Sequence, residues 1–282
     1  MKAFAERSVP LNNANEKADS PLLLAARCGK IEVFRYLTEI GADINIRDTN
    51  RDIARHKAAI SGSVEIIKIL LDKGMSVDLT NAEDSRPLHF SASKGNLEAT
   101  KALVKRGAPL SNANKDGETP LLLAANGGKI EIFRYLTEIG ADINFLNAKG
   151  NTALHHAALS GSVEIIKILL DKGMSVDLTK GNLEAMRGLV ERGVPLSNAN
   201  KNGETPLLWA ARCGKTEIFR YLTEIGTDIN INDIKNNTAS HHAAISGSVE
   251  VIKILLDKGM SVDLTNTSNE RSCRKRCSFK QR

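Results

Sequence analysis

Aromatic side chains are scarce in this sequence, at 4% of 282 residues, against 41% hydrophobic residues in all. The core must therefore be aliphatic. Many short aliphatic helices, each touching only its neighbours, suit that composition better than one large globule. Cysteine is scarce too. Cys28 and Cys213 hold equivalent places in two repeats, and only Cys273 and Cys277 lie close together. That excludes a disulfide framework and points to a reduced cytoplasmic or nuclear setting. No run approaches eighteen apolar residues, so no membrane span or membrane partner is expected. Met1 to Ala14 has no apolar signal-peptide core. The net charge is +6, but Ser268 to Arg282 hold six basic residues (Arg271, Arg274, Lys275, Arg276, Lys280, Arg282) against Glu270 alone. The rest is close to neutral and offers no general argument for nucleic acid.

What is present is a repeat. The clearest unit runs from Asp116 to Ala148, 33 residues, and begins Asp116-Gly117-Glu118-Thr119-Pro120-Leu121. Thr119 can cap a helix by accepting a bond from a free backbone N–H of the first turn. Pro120 then stands at the first helical position, where its missing N–H costs nothing. Leu121 to Ala125 make a short helix with small residues on one side, and Gly127 and Gly128 stop it. A second helix is predicted near 130–139, with Ile132, Phe133, Leu136 and Ile139 on one face. Each helix alone is too short to be stable in water and must be held by stacking.

The unit recurs from Lys17, Asn50, Glu83, Asp116, Lys149, Asn202 and Lys235. Ser61 to Thr80 is identical to Ser160 to Thr179, and Ser246 to Thr265 differs from them only by Val251. A period of 33 with Thr119-Pro120-Leu121, Thr205-Pro206-Leu207, Thr152-Ala153-Leu154-His155 and Pro87-Leu88-His89, closed by Gly-Ala-Asp-Ile-Asn at 41–45 and 140–144, resembles the ankyrin repeat. The units alternate in three styles, so the pattern returns every 99 residues, as from Ser20-Pro21 to Thr119-Pro120, and this array is similar to those of plant ankyrin-repeat proteins. The resemblance implies an all-α solenoid of stacked helix–turn–helix units with finger loops. The boundaries read as a partial repeat at 1–16, repeats at 17–49, 50–82, 83–115, 116–148 and 149–179, a truncated half repeat at 180–201, repeats at 202–234 and 235–267, and a basic disordered tail at 268–282.

Three places depart from the pattern. In the second unit Ile53-Ala54-Arg55-His56 replaces the usual start. It loses a capping hydroxyl worth about 1 kcal/mol and puts Arg55 where leucine is usual, so this unit should open more readily. At 180–201 a lone helix bearing Leu183, Met186, Leu189 and Val190 lacks a first helix, which would forgo on the order of 6–12 kcal/mol of burial. A break or bend is expected between Thr179 and Glu184. The first sixteen residues match Thr100 to Lys115, so the sequence starts inside a second helix without a polar cap. A truncated fragment of a larger ankyrin-repeat protein would account for both.

Catalytic and metal chemistry find little footing, and no cofactor is expected. His155-His156 and His241-His242 are adjacent on a helix and point about 100° apart, so they do not converge on a metal. His155 and His241 are instead expected to bond locally near the loop. Cys28 and Cys213 have no histidine fixed nearby in sequence, and Cys273 and Cys277 have no further metal-binding motif. Trp209 stands where the matching unit has Leu123, either buried between helices or exposed as a binding anchor.

The resemblance implies a non-enzymatic scaffold that binds another protein on a concave face lined by first helices, and at projecting finger loops. The matching face positions are Arg27, Cys28, Ser93, Lys94, Asn126, Ser160, Arg212, Cys213 and Ser246; the tips are Asp48, Arg51, Lys115, Asp116, Asn147, Lys149, Lys201, Asn202, Asp233 and Lys235. Their positive spots suit a partner with acidic patches. The basic tail could supply a nuclear address or a nucleic-acid contact.

Overall fold

The computed structural model describes residues 11–15, 19–172 and 198–260. They form fourteen α-helices and no β-sheet, with one isolated bridge between Asn232 and Thr238. The chain divides into two compact units, Met1–Ala148 and Lys149–Arg282.

The first unit holds four helix pairs: α1 Pro21–Arg27 with α2 Ile31–Glu39, α3 Ala54–Ser61 with α4 Val64–Asp72, α5 Pro87–Lys94 with α6 Leu97–Lys105, and α7 Pro120–Asn126 with α8 Ile130–Glu138. First helices stack in order, α1 on α3, α3 on α5 and α5 on α7, and second helices do likewise. The close approach rests on alanines: Ala26, Ala58, Ala59, Ala92 and Ala125 are all 0% exposed. Leu22, Leu23, Phe34, Ile53, Ile66, Ile67, Leu70 and Leu103 fill the space between the layers. Ile132, Phe133 and Leu136 are buried as their spacing predicts, whereas Ile139 lies at the helix end and is half-exposed.

Caps follow the sequence. Ser20 and Thr119 accept from the amides of Leu23 and Leu122, each at 3.3 Å, ahead of a proline at the first helical position. Ile53 supplies no side-chain cap to α3. Arg55 is fully buried, yet its guanidinium donates to the carbonyls of Ser76 and Met75, the latter at 2.9 Å. Its Nε finds no partner, and burial lowers its pKa to about 10.

The second unit holds α9 Ala153–Ser160 with α10 Val163–Lys172, α11 Pro206–Arg212 with α12 Thr216–Glu224, and α13 Ala239–Ser246 with α14 Val249–Asp257. Here α9 packs against α11 and α11 against α13, and the second helices follow the same order. The bond from His155 to the Glu204 carbonyl spans 49 residues of chain, where His56 to Ser85 and His89 to Glu118 span 29. The helices on either side of 173–197 are thus in direct contact. The expected break between Thr179 and Glu184 lies outside the described residues, as do most of the half repeat at 180–201, the basic tail and residues 1–10.

Candidate functional site

The finger turns are built from one residue type at one place. Asp48, Asn81, Asn114, Asn200 and Asp233 each accept two backbone amides on a single side-chain oxygen, from the residues two and four positions ahead, at 2.8–3.1 Å. This short polar side chain replaces main-chain acceptors in the turn. Each tip is also tied to the next by one backbone bond: Ala82 to Asn50 at 2.8 Å, Lys115 to Glu83 at 3.1 Å and Ala148 to Asp116 at 3.0 Å in the first unit, and Lys201 to Lys149 at 3.0 Å and Ile234 to Asn202 at 3.2 Å in the second. The approach is tight at Gly117, where a Cβ would stand 2.3 Å from the amide nitrogen of Ala148. The matching positions Arg51, Asp84 and Asn236 keep the same left-handed turn with φ of 54–60° despite their side chains.

Three residues expected at the tips are corrected by this geometry. Asp48 and Asp233 are buried because their side chains turn inward to hold the fingers instead of projecting from them, and Asn147 is buried with its Nδ2 donating to Glu118 at 2.7 Å. Arg51, Lys115, Asp116, Lys149, Lys201, Asn202 and Lys235 are exposed.

On the first helices, Arg27, Lys94, Asn126, Arg212 and Ser246 are exposed, while Ser93 and Ser160 are half-buried. Cys28 is an exposed free thiol and Cys213 a half-buried one. The two arginines are anchored alike. Arg27 pairs with buried Asp19 at 2.9 Å, and Arg212 pairs with buried Glu204, in each case eight residues earlier. Trp209 is buried, at 9% exposure, so it is a support beneath the face and not a projecting anchor. Its Nε1 donates to Glu204 at 2.8 Å, its ring and that of His155 meet at a right angle, and the Arg212 guanidinium lies 5.0 Å over the ring. Burial would raise the Glu204 pKa, but the bonds from Asn200 and Trp209 and the charge of Arg212 hold it below the ordinary value.

Under the fingers lies a second polar layer that sequence reasoning missed. The Lys57 ammonium, 8% exposed, sits 2.5 Å from Asp48 and 2.9 Å from Asp52. Burial pulls its pKa down, yet the two carboxylates outweigh that and leave it raised. The equivalent residue in α13 is His242, 3.2 Å from Asp233, and burial keeps its pKa below the usual value. The signal was available: Lys57, His156 and His242 share one repeat position opposite Asp48, Asn147 and Asp233.

The neighbouring histidines lock adjacent repeats together. His56, His89 and His155 each accept a backbone amide on Nδ1 at 3.1–3.2 Å, so Nε2 carries the proton and donates to the next repeat's carbonyl at 3.0–3.1 Å. Burial lowers the pKa of each to about 4. Among the described residues, no group of three or more His, Cys, Asp or Glu side chains is placed to hold a metal ion. No helix among them is long and apolar enough to cross a membrane.

A family model described as Ankyrin repeats (3 copies) matches residues 22–114, 108–180 and 178–266. No curated protein matches the chain.

Proposed function

The chain belongs to the ankyrin-repeat family, a non-catalytic scaffold fold that generally mediates protein–protein interaction, and from that premise we propose that it holds an acidic protein partner in the cytoplasm or nucleus. The observation that carries the reading is the division of labour on the first helices and fingers. Most apolar positions of the first helices are buried and alike from repeat to repeat, while Lys94, Lys115, Lys149 and Lys201 are exposed. Lys94 makes no ion pair among the described residues, so its charge is open to a ligand. Arg27 and Arg212 already rest on buried carboxylates and contribute planar donors more than net charge. Such a surface favours acidic patches and speeds encounter with them.

The test is a pull-down from cell extract, comparing the natural chain with Lys94→Glu, Lys115→Glu and Lys201→Glu combined, after matching their helix content by circular dichroism. A partner retained by the first, lost by the second and released by salt supports the reading. Equal capture by both, or none by either, overturns it. The six basic residues of 268–282 favour a second reading, a nuclear address or nucleic-acid contact. Deleting Ser268 to Arg282 would abolish nuclear entry or nucleic-acid affinity under that reading and leave capture by the repeats intact.

A further inference from the structure

In the first unit the first helices run between two rims. One rim is made by the fingers that precede them, the other by their C-terminal ends. The rims of α5 are separated by its eight residues, about 12 Å of helix. They are opposite in sign. Its finger exposes Glu83 and Asp84, and its last residue, Lys94, is exposed at the far end. None of the three forms an ion pair among the described residues. The fingers on either side, before α3 and α7, expose Arg51 and the pair Lys115 and Asp116. All these residues lie within 19–172, which is described without a gap.

The charges at two of these tips are held against backbone preference. Arg51 and Asp84 have φ of 59° and 54°, in the left-handed region that favours glycine. Gly117, Gly150 and Gly203 fill the same finger position elsewhere in the chain. Two consecutive fingers thus carry unlike charges where the chain has a glycine solution to the turn.

Between the rims the floor is apolar. Ile60 of α3, Phe90 of α5 and Leu123 of α7 are half-buried, while Ala59, Ala92 and Ala125 in the same helices are sealed. Phe90 and Leu123 share the repeat position of Lys57, which runs under its finger to Asp48 and Asp52, and Ile60 stands one turn beyond Lys57. The Phe90 ring is braced at a right angle against that of His56, 5.6 Å away, so its place is fixed. One such side chain per repeat makes a row with the spacing of packed helices, about 8–10 Å. An α-helix advances about 10.5 Å in seven residues. Apolar residues at i, i+7 and i+14 therefore meet successive members of the row, and the flanks of that helix reach the two rims.

We infer that the occupant is an amphipathic α-helix of a partner protein, lying across α3, α5 and α7. It sets a basic residue against Glu83 and Asp84 on one flank and acidic residues against Lys94 on the other. The inference rests on the scaffold reading above and narrows it: acid on the partner meets Lys94, whereas its contact with the α5 finger is basic. Arg51 and Lys115 fix the register, because a slip of one repeat takes the basic residue from two acids to a cation.

The probe is a synthetic helical peptide of about 18 residues, long enough to cross three repeats. It carries the apolar stripe, glutamates on one flank and a single central lysine on the other. A second peptide has glutamate in place of that lysine. Fluorescence anisotropy with the full chain at low salt should show the lysine peptide bound about fivefold tighter. Glu83→Lys combined with Asp84→Arg should reverse the preference. Both positions are exposed, and Arg51 shows that this turn accepts arginine. Lys94→Glu should weaken both peptides and leave the preference as it was. Helix content matched by circular dichroism guards against misfolded variants. Binding of neither peptide by the natural chain, equal binding of both, or a preference unmoved by the finger variant overturns the inference. Tighter binding of the glutamate peptide by the natural chain also overturns it, while leaving the acidic-partner reading in place. Failure of that reading is seen separately, in the pull-down described above.

Discussion

The helix pairs α3–α4 and α13–α14 have second helices that differ at one residue, Ile66 against Val251, yet they sit in different surroundings. In α3–α4 the outer alanine Ala59 is sealed, and His56 clasps the next repeat. In α13–α14 Ala244 on the same surface is exposed, and among the described residues His241 bonds only within its own turn. The interiors differ as well. Arg55 and Lys57 bring two cations into α3, where α13 has Ser240 and His242. A helix of given sequence thus takes its burial from its neighbour and its electrostatics from its partner helix. Propensity alone sets neither.

The largest way to sharpen the contrast is acid. His56 and His89 have folded pKa values near 4, below the 6.5 of the free side chain. The folded first unit therefore binds fewer protons than the unfolded chain between those values. Stability is complete above about pH 6.5 and is lost as pH falls toward 4, by up to roughly 3 kcal/mol for each histidine. Urea midpoints followed by circular dichroism should drop steeply over that interval. In the second unit His155 acts in the same direction. Its ring packs at a right angle to Trp209, so the fluorescence of this sole tryptophan reports its release. Midpoints unchanged between pH 7 and 4 would refute the neutral clasp.

Next in size is Lys57→Ala. It leaves the buried carboxylates of Asp48 and Asp52 without their shared cation, on neutral donors alone, and should cost about 3–5 kcal/mol at pH 7. His242→Ala should cost less, since burial already keeps that ring largely neutral and Asp233 retains its bonds from Asn237 and Lys235. Equal losses measured by urea unfolding would erase the distinction between the two interiors. The smallest change has the opposite sign. Arg55→Leu removes a buried cation and an unpartnered Nε at a position where α9 already holds Leu154, and should gain about 1–2 kcal/mol. A loss of stability would show that the bonds to Met75 and Ser76 outweigh the burial of charge.

The architecture was legible because stacking imposes itself on sequence: a period of 33, proline after the cap, alanines where helices touch. The family match and the helix order agree with it. The exposure of Arg27 and Lys94 was legible for the converse reason, as polar groups at the ends of largely apolar helices. The inward turn of Asp48, Asn147 and Asp233 escaped a reading that equated loops with exposure. Their recurrence at one repeat position was the available clue, since a recognition residue is free to vary and a turn-former is not. The Lys57 layer escaped because a lysine in a helix reads as solvent-facing until carboxylates from a folded-over loop surround it. Arg55 was read as a defect, and the sequence held no hint that carbonyls of the loop after α4 would receive it.

The ties between finger tips run through main-chain atoms and one inward Asp or Asn, so the outward side chains have no part in them. Folding and recognition therefore draw on separate alphabets along the same few residues. A library that randomises Lys115, Asp116, Lys201 and Asn202 while keeping Asn114, Gly117, Asn200 and Gly203 would explore ligand chemistry over an unchanged frame. In such a library, selection for binding and selection for stability would act as independent screens.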